Sequence, residues 1–521
     1  MLFNSFVFIF GFLPLAFVVT YALGRWRQTF AKLALALLSL GFYAWWNPIH
    51  LPLLLGSIVF NYFVGGIIQK AHAAGRRRAA NAWLVFGVLC DVALLGWFKY
   101  ANFVADNANA LLGTDFRLER IALPLAISFF TFQKLAYLID SARGEAKPMR
   151  PLDFTLFAAF FPQLIAGPIV HYKEIVPQLQ NRLWGRLIAR NVMVGLVIFA
   201  IGLFKKTVIA DTLSSYADPL FAAASGGHEY NILSGWLAAI TFTLQLYFDF
   251  SGYSDMAIGL ARIFGVKLPL NFHSPLRAAN IIDYWRRWHM TLQRFIVAYI
   301  FQPLSLPLNR AAAKRGLTSW TAFAIGTGIP TFVTFVAVGI WHGAGWTFVA
   351  FGVMHAIYIC VNEAWRERRK NLRRRLKKQK IVLADPGVGE RAAYHILTLI
   401  AVAYGNVMFR AHSVGEAVSV WSGMSGFGGL NLSTPIPDFG LDLVATIALG
   451  AALIALAPNT QQIMRRFDPA YNWKEWRDVA PALLSWTWKP NSAGLVFAGV
   501  VLFLGIMFIQ RGQAVFLYFN F

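Results

Sequence analysis

The chain has 521 residues, of which 57% are hydrophobic and 16% aromatic, and only 14% are charged. A soluble protein carries about 25% charged residues, so the composition excludes a soluble fold and describes an all-α chain that crosses a lipid bilayer many times. The formal charge of +23 does not point to nucleic acid, because Lys and Arg gather in short loops between apolar runs, as cytoplasmic loops do.

Taken in order, apolar runs at 3–23, 30–46, 51–68 and 82–98 each approach the ~20 residues needed to cross. The first has Arg25 and Arg27 after it and no basic residue before it. That is the reverse of a cleaved signal, so the run is read as a retained span with the N-terminus outside. Residues 99–120 read as a polar outer loop, and 121–139 as a fifth span. The run 156–170, LFAAFFPQLIAGPIV, is interrupted by Pro162, Gly167 and Pro168. Proline blocks the helix ladder, and broken backbone at membrane depth is tolerated only where protein or a water-filled cavity satisfies it. A re-entrant or broken helix lining a cavity is expected there, with Pro162 and Gln163 on its wall.

Arg182, Arg186 and Arg190 recur every four residues beside Leu179, Leu183 and Leu187, which predicts an amphipathic helix on the interface over 172–191. A short span at 192–204 and a clear one at 233–248 lead to the most polar stretch of the chain, 247–295. It contains Asp249, Ser251, Tyr253, Asp255, Asn271, His273, Asp283, Trp285, Arg286, Arg287 and His289. If 281–296 is one helix, Trp285, Trp288 and His289 share a face, Asp283 pairs with Arg287, and Arg286 comes near His289. Residues 301–308, with two prolines, read as irregular. One or two spans follow at 322–361, carrying GIWHGAGW with His342 in the middle of an apolar helix between Trp341 and Trp346. The run 366–380 has ten Lys or Arg against one Glu and is cytoplasmic; it is either a topology anchor or a polyanion site, with Arg373, Arg374 and Arg375 as phosphate ligands. Three further spans at 393–409, 441–456 and 493–509 precede an aromatic end. The whole reads as one membrane domain, 1–521.

An ionisable residue inside a span is costly and functional by default, which singles out His342 and, in a more charged setting, His289. A metal site is not expected. His342 and His355, thirteen residues apart, face away from each other on one continuous helix, Cys90 and Cys360 make no pattern, and no HExxH or CxxC occurs. No nucleophile elbow or phosphate loop is present either. What is left is an imidazole able to take a proton from a hydroxyl.

The segments GIWHGAGWTFVAFGVMHA, YWRRWHMTL, YFDFSGYSDMAIGLARIFG and FFPQLIAGPIVHYKEIVPQL closely resemble the membrane-bound O-acyltransferase family, in its bacterial polysaccharide O-acetylation branch. The likeness runs from FNSFVFIFGFLPL to the final FLYFNF. It implies a ring of about 11 transmembrane helices around a central tunnel, with His342 and His289 as the active-site pair. It further implies a cytoplasmic thioester donor, acetyl-CoA as co-substrate with no bound cofactor, and transfer to an extracytoplasmic polysaccharide such as alginate. A periplasmic acetyltransferase- or esterase-like partner would serve that transfer in the bacterial inner membrane. By the same resemblance His342 is the general base. His289, with Arg287 or Trp285 nearby, orients the thioester or stabilises the oxyanion. The family's Arg-Asp and Gly-Gly-Asn-Arg elements appear here as Val297–Ala298 and Leu308–Asn309–Arg310, a departure where the acceptor or partner docks. D-alanyl or other acyl transfer from a carrier protein stays open, as does a transporter or flippase without chemistry.

Overall fold

The computed structural model describes all residues except 117, 226–228, 383–384, 431–439, 510–516 and 518–521. Among the described residues every regular element is helical. Eight helices are long and apolar enough to cross a membrane: Val7–Trp26, Pro48–Ala73, Arg77–Leu112, Ala189–Ala224, Ile232–Ile263, Trp320–His342, Trp346–Lys378 and Val388–Arg410. Three shorter apolar helices accompany them, Gln28–Ala44, Leu441–Ala455 and Ser492–Met507. The aromatic end, apart from Leu517, lies outside the described residues.

The helix Ile232–Ile263 is buried along almost its whole length and forms the axis of the molecule. It packs against Ala189–Phe204 through two glycine pairs. A Cβ on Gly195 would meet the Gly259 carbonyl at 2.5 Å, and one on Gly202 would meet the Gly252 carbonyl at 2.7 Å. Small residues let two backbones approach this closely in lipid, where apolar burial alone gives little reason to associate. The backbone then widens into a π-turn over Lys205–Ala210, which points two lysines at the axis. The Lys206 ammonium lies 2.6 Å from Asp249 and 2.7 Å from Asp211, and Lys205 lies 2.7 Å from Asp255.

The broken segment is present. Pro151–Ala159 ends at Phe160, one turn follows at Phe161–Leu164, and the chain stays non-helical until Tyr172. Ser39 and Thr291 hydroxyls accept from the freed Phe161 and Ile169 amides at 3.1 and 3.0 Å, so neighbouring elements satisfy the break.

Several sequence-based expectations are corrected. The polar loop at 99–120 is in its first half the end of the helix Arg77–Leu112. The span at 121–139 is a buried helix, Ile127–Ala142. The interfacial helix at 172–191 stops at Gln180 and the chain then turns, with Gly185 at φ 88°. Arg182, Arg186 and Arg190 therefore share no helical face, because the turn consumes the residues that the four-residue period needed. Residues 301–308 are helical: the π-turn Val297–Phe301 runs without a break into Gln302–Lys314, so Pro303 directly follows the widened turn and Pro307 lies inside the helix. The helix expected at 281–296 breaks in two, Ile281–Arg287 and Met290–Ile296.

Candidate active site

That break places His289. Its φ of 43° puts a non-glycine residue in the left-handed region, a conformation costing roughly 1–3 kcal/mol unless its surroundings enforce it. An extended strand of chain does so. The His273 amide donates to the Arg287 carbonyl at 3.0 Å, and the Met290 amide donates to the Asn271 carbonyl at 2.9 Å, bracketing the kink. The Asn271 side chain then fixes the imidazole. Its amide nitrogen donates to Ser254 Oγ at 3.1 Å, and its Oδ1 receives the Thr291 hydroxyl at 2.8 Å and the Thr291 amide at 3.4 Å. An oxygen so oriented can only accept, so His289 Nδ1, 3.0 Å away, must donate. The lone pair of neutral His289 is thereby assigned to Nε2.

His342 does not lie mid-helix. It is the last residue of Ile329–His342, and Gly343, Ala344 and Gly345 turn the chain into Trp346–Lys378. The two helices pack back to back through Gly339 and Gly352: a Cβ on Gly352 would meet the Phe335 carbonyl at 2.5 Å and the Gly339 Cα at 3.2 Å. The turn is gripped from outside by one helix. Lys99 donates to the carbonyls of Trp341 and His342, Tyr100 to the carbonyl of Ile340 at 2.8 Å, and the Trp346 indole to Asn107 at 2.9 Å. Carbonyls at a helix end lack intrahelical partners, and a lysine from a distant span supplies one. Trp341 neighbours both histidines, its ring centroid 6.1 Å from His289 and 4.9 Å from His342.

Four cavities stand in series beside His342, and the buried His289 lines none of them. A groove of about 1230 Å³ beside the basic run is lined by Arg366, Arg369, Lys370, Arg373, Arg374 and Lys377, but not by Arg375. Through Glu363 it adjoins a cavity of about 130 Å³ carrying Gln293, Thr331 and Thr334. Trp285 is common to that cavity and to a constriction of about 10 Å³ with His342 and His355 on its wall. His342 is in turn common to the constriction and to a chamber of about 30 Å³ formed with Lys99, Ser128, Phe129, Ile165 and Trp341.

The chain is similar to proteins of known kind. Residues 92–382 match the model for MBOAT, the membrane-bound O-acyltransferase family. The chain is 36% identical to the peptidoglycan O-acetyltransferase of Helicobacter pylori, across 100% of its own length and 98% of that protein. It is also 36% identical to the probable alginate O-acetylase AlgI of Pseudomonas aeruginosa, across 83% and 76% of the two chains. To the teichoic acid D-alanyltransferase of Bacillus subtilis it is 30% identical over 47% of its length, 61% of that protein.

The chain belongs to the membrane-bound O-acyltransferase family. As an O-acyltransferase it is an enzyme, which removes the reading as a transporter without chemistry. Within this acyltransferase the other residues singled out from sequence divide. Trp285 is at the constriction, but its indole donates to His355 Nδ1 at 3.0 Å and not toward His289. Arg287 is tied to Asp283 at 2.7 Å, as the spacing predicted. Arg286 lies over the ring of Trp476, 5.5 Å from its centroid, and not near the imidazole; the helix break turns both arginines away. Gln163 donates to the Phe157 carbonyl at 2.7 Å and lines a separate small cavity with Phe129 and Gly167, while Pro162 is buried in the short helix before it. Asp249, Ser251, Tyr253 and Asp255 line none of the four cavities. Asp255 also receives Thr460 and Gln461 at 2.6 Å, and Tyr253 stacks on Phe3.

Two residues escaped the sequence reading. His355 was set aside on the count of a continuous helix, but the turn at Gly343 resets the phase, and Phe351 now lies against both His342 and His355. Lys99 falls in the stretch 99–120 that reads as a polar outer loop, and no local signal ties it to a residue 242 positions away.

Proposed function

We propose that the enzyme transfers an acetyl group from acetyl-CoA on the cytoplasmic side to a hydroxyl of an extracytoplasmic polysaccharide. Transfer is direct or through a periplasmic acetyltransferase- or esterase-like partner, in the bacterial inner membrane with the N-terminus outside. The observation that carries this reading is the series of cavities running from a groove rich in Arg and Lys to His342. Phosphates of the donor suit the groove, where Arg373 and Arg374 present guanidinium groups. The hydroxyl- and amide-bearing cavity beyond it suits the amides of a pantetheine arm. From Trp346 to Trp365 is 19 residues, ~28 Å of helix, close to the ~30 Å hydrocarbon thickness. The basic end and the His342 turn thus lie about one membrane apart. The full-length match with a peptidoglycan O-acetyltransferase puts peptidoglycan ahead of alginate as the polymer.

In this mechanism His342 takes the proton of the acceptor hydroxyl as its oxygen attacks the thioester carbon. The tetrahedral intermediate collapses, the C–S bond breaks, and the thiolate recovers the proton as free CoA while the ester is released. His289 lines none of the four cavities, so its part in orienting the donor is indirect, through the Trp341 ring 6.1 Å from it. In its assigned tautomer it has no proton at Nε2 to give an oxyanion, so the stabilising role expected of it passes to another group. The test is acetyl-CoA turnover by the full-length protein in detergent. His342→Ala should lower kcat by ~10²–10⁴, the usual contribution of a general base, with an unchanged melting temperature. Near wild-type turnover in a folded His342→Ala protein would remove His342 from the chemistry. Turnover of a D-alanyl carrier-protein thioester with none of acetyl-CoA would replace the donor.

A further inference from the structure

Acyl transfer passes through a tetrahedral oxyanion, and stabilising it takes a fixed hydrogen-bond donor within reach of the base. Trp341 answers that description. Its side chain is buried, and among the described residues its Nε1–H has no hydrogen-bond partner. A buried donor left without an acceptor costs ~1–3 kcal/mol, and such groups in a native structure call for an explanation. The neighbouring indoles of Trp285 and Trp346 both donate to side chains. Trp184 and Trp473 also lack an acceptor but line none of the four cavities.

The Trp341 ring is held rather than loose. Phe132 stacks on it at 5.2 Å with 19° between planes, Phe129 meets it edge-on at 5.6 Å, and Lys99 holds its backbone carbonyl while the ammonium stands 5.8 Å from the ring centroid. It neighbours both His289 and His342 and shares with His342 the wall of the 30 Å³ chamber.

We infer that Trp341 is a catalytic residue whose indole N–H donates to the oxyanion formed when the acceptor hydroxyl attacks the thioester. As the C–O bond forms, the carbonyl electron pair moves to oxygen and is met by Trp341 Nε1–H. As the C–S bond breaks, the pair returns and the thiolate takes the proton held by His342. The donor is idle in the ground state and satisfied only in the transition state, which is where an interaction lowers the barrier. This rests on the proposed role of His342.

The experiment compares acetyl-CoA turnover by the wild-type, His342→Ala and Trp341→Phe proteins, full-length and detergent-solubilised. Phenylalanine keeps an aromatic wall and removes the N–H. The expected result is a fall in kcat of ~10²–10³-fold, the usual loss for one oxyanion donor, with KM for acetyl-CoA within about threefold. A wall or packing role would raise KM or lower the melting temperature instead, and either in place of the kcat loss overturns the inference. If the Phe variant folds poorly, incorporation of 3-benzothienylalanine at 341 decides. It preserves the ring outline and exchanges N–H for sulfur, so retained kcat in that protein also overturns the inference. Loss in His342→Ala with full activity in Trp341→Phe removes Trp341 alone. Full activity in both removes the reading of His342 on which it rests.

Discussion

The axial helix and the His342 turn are both places where an apolar chain carries expensive polar groups, and they use them oppositely. Along the axis, Asp249, Asp255 and Asp211 meet Lys205 and Lys206, with further donors from Thr460 and Gln461 to Asp255 and from the Leu517 amide to Asp249. At the turn, His342 and Trp341 stand on cavity walls packed mainly by aromatic rings. The lesson is that polarity at membrane depth is of two kinds. Charges that neutralise one another hold helices in register, whereas groups that face a cavity are kept for a ligand.

The sharpest way to break that contrast is to remove a charge from the axis. Lys206→Met leaves two buried carboxylates facing each other without their cation, which costs ~3–5 kcal/mol. It should appear as a large loss of folded protein on size-exclusion chromatography in detergent, while kcat per folded molecule stays within about threefold. A stable Lys206→Met protein with lost turnover would place the axis in the chemistry.

A smaller effect is expected at Lys99, which serves both kinds of role. Lys99→Met removes charge-assisted bonds to the carbonyls of Trp341 and His342, each worth ~1.5–3 kcal/mol. A loss of kcat of about tenfold should follow, partly restored by Lys99→Arg, as measured by steady-state turnover. The smallest effect belongs to the groove. Arg373→Gln with Arg374→Gln should raise KM for acetyl-CoA about threefold and weaken its salt dependence, with kcat little changed. Arg375→Gln, off the groove wall, should leave KM as it was. Equal effects from the two changes would mean that the run acts through its overall charge.

Much of this was legible in the sequence because it is local. Apolar runs of the right length predict spans, Pro162 with Gly167 and Pro168 predicts broken backbone, and Asp283 and Arg287 predict their own ion pair. What failed depends on a single dihedral or on distant partners. One left-handed residue at His289 cancels the same-face arguments that join Trp285, Trp288 and Arg286 to His289, and a three-residue turn after His342 changes where His355 points. The pairing of Asp249 with Lys206 needs the π-turn and the glycine pairs that bring the two helices together. No spacing within either segment reports it, so those aspartates read as site residues.

In the proposed function His342 is the point where a donor route from the basic end meets an acceptor route from the opposite face. The direct measurement is sided labelling of His342→Cys, with Cys90 and Cys360 replaced by serine, using a membrane-impermeant thiol reagent on sealed vesicles of known orientation. The account predicts reaction when the reagent is added on the face opposite the basic run 366–380, slowly in view of the narrow chamber. Labelling only from the face of the basic run would contradict it.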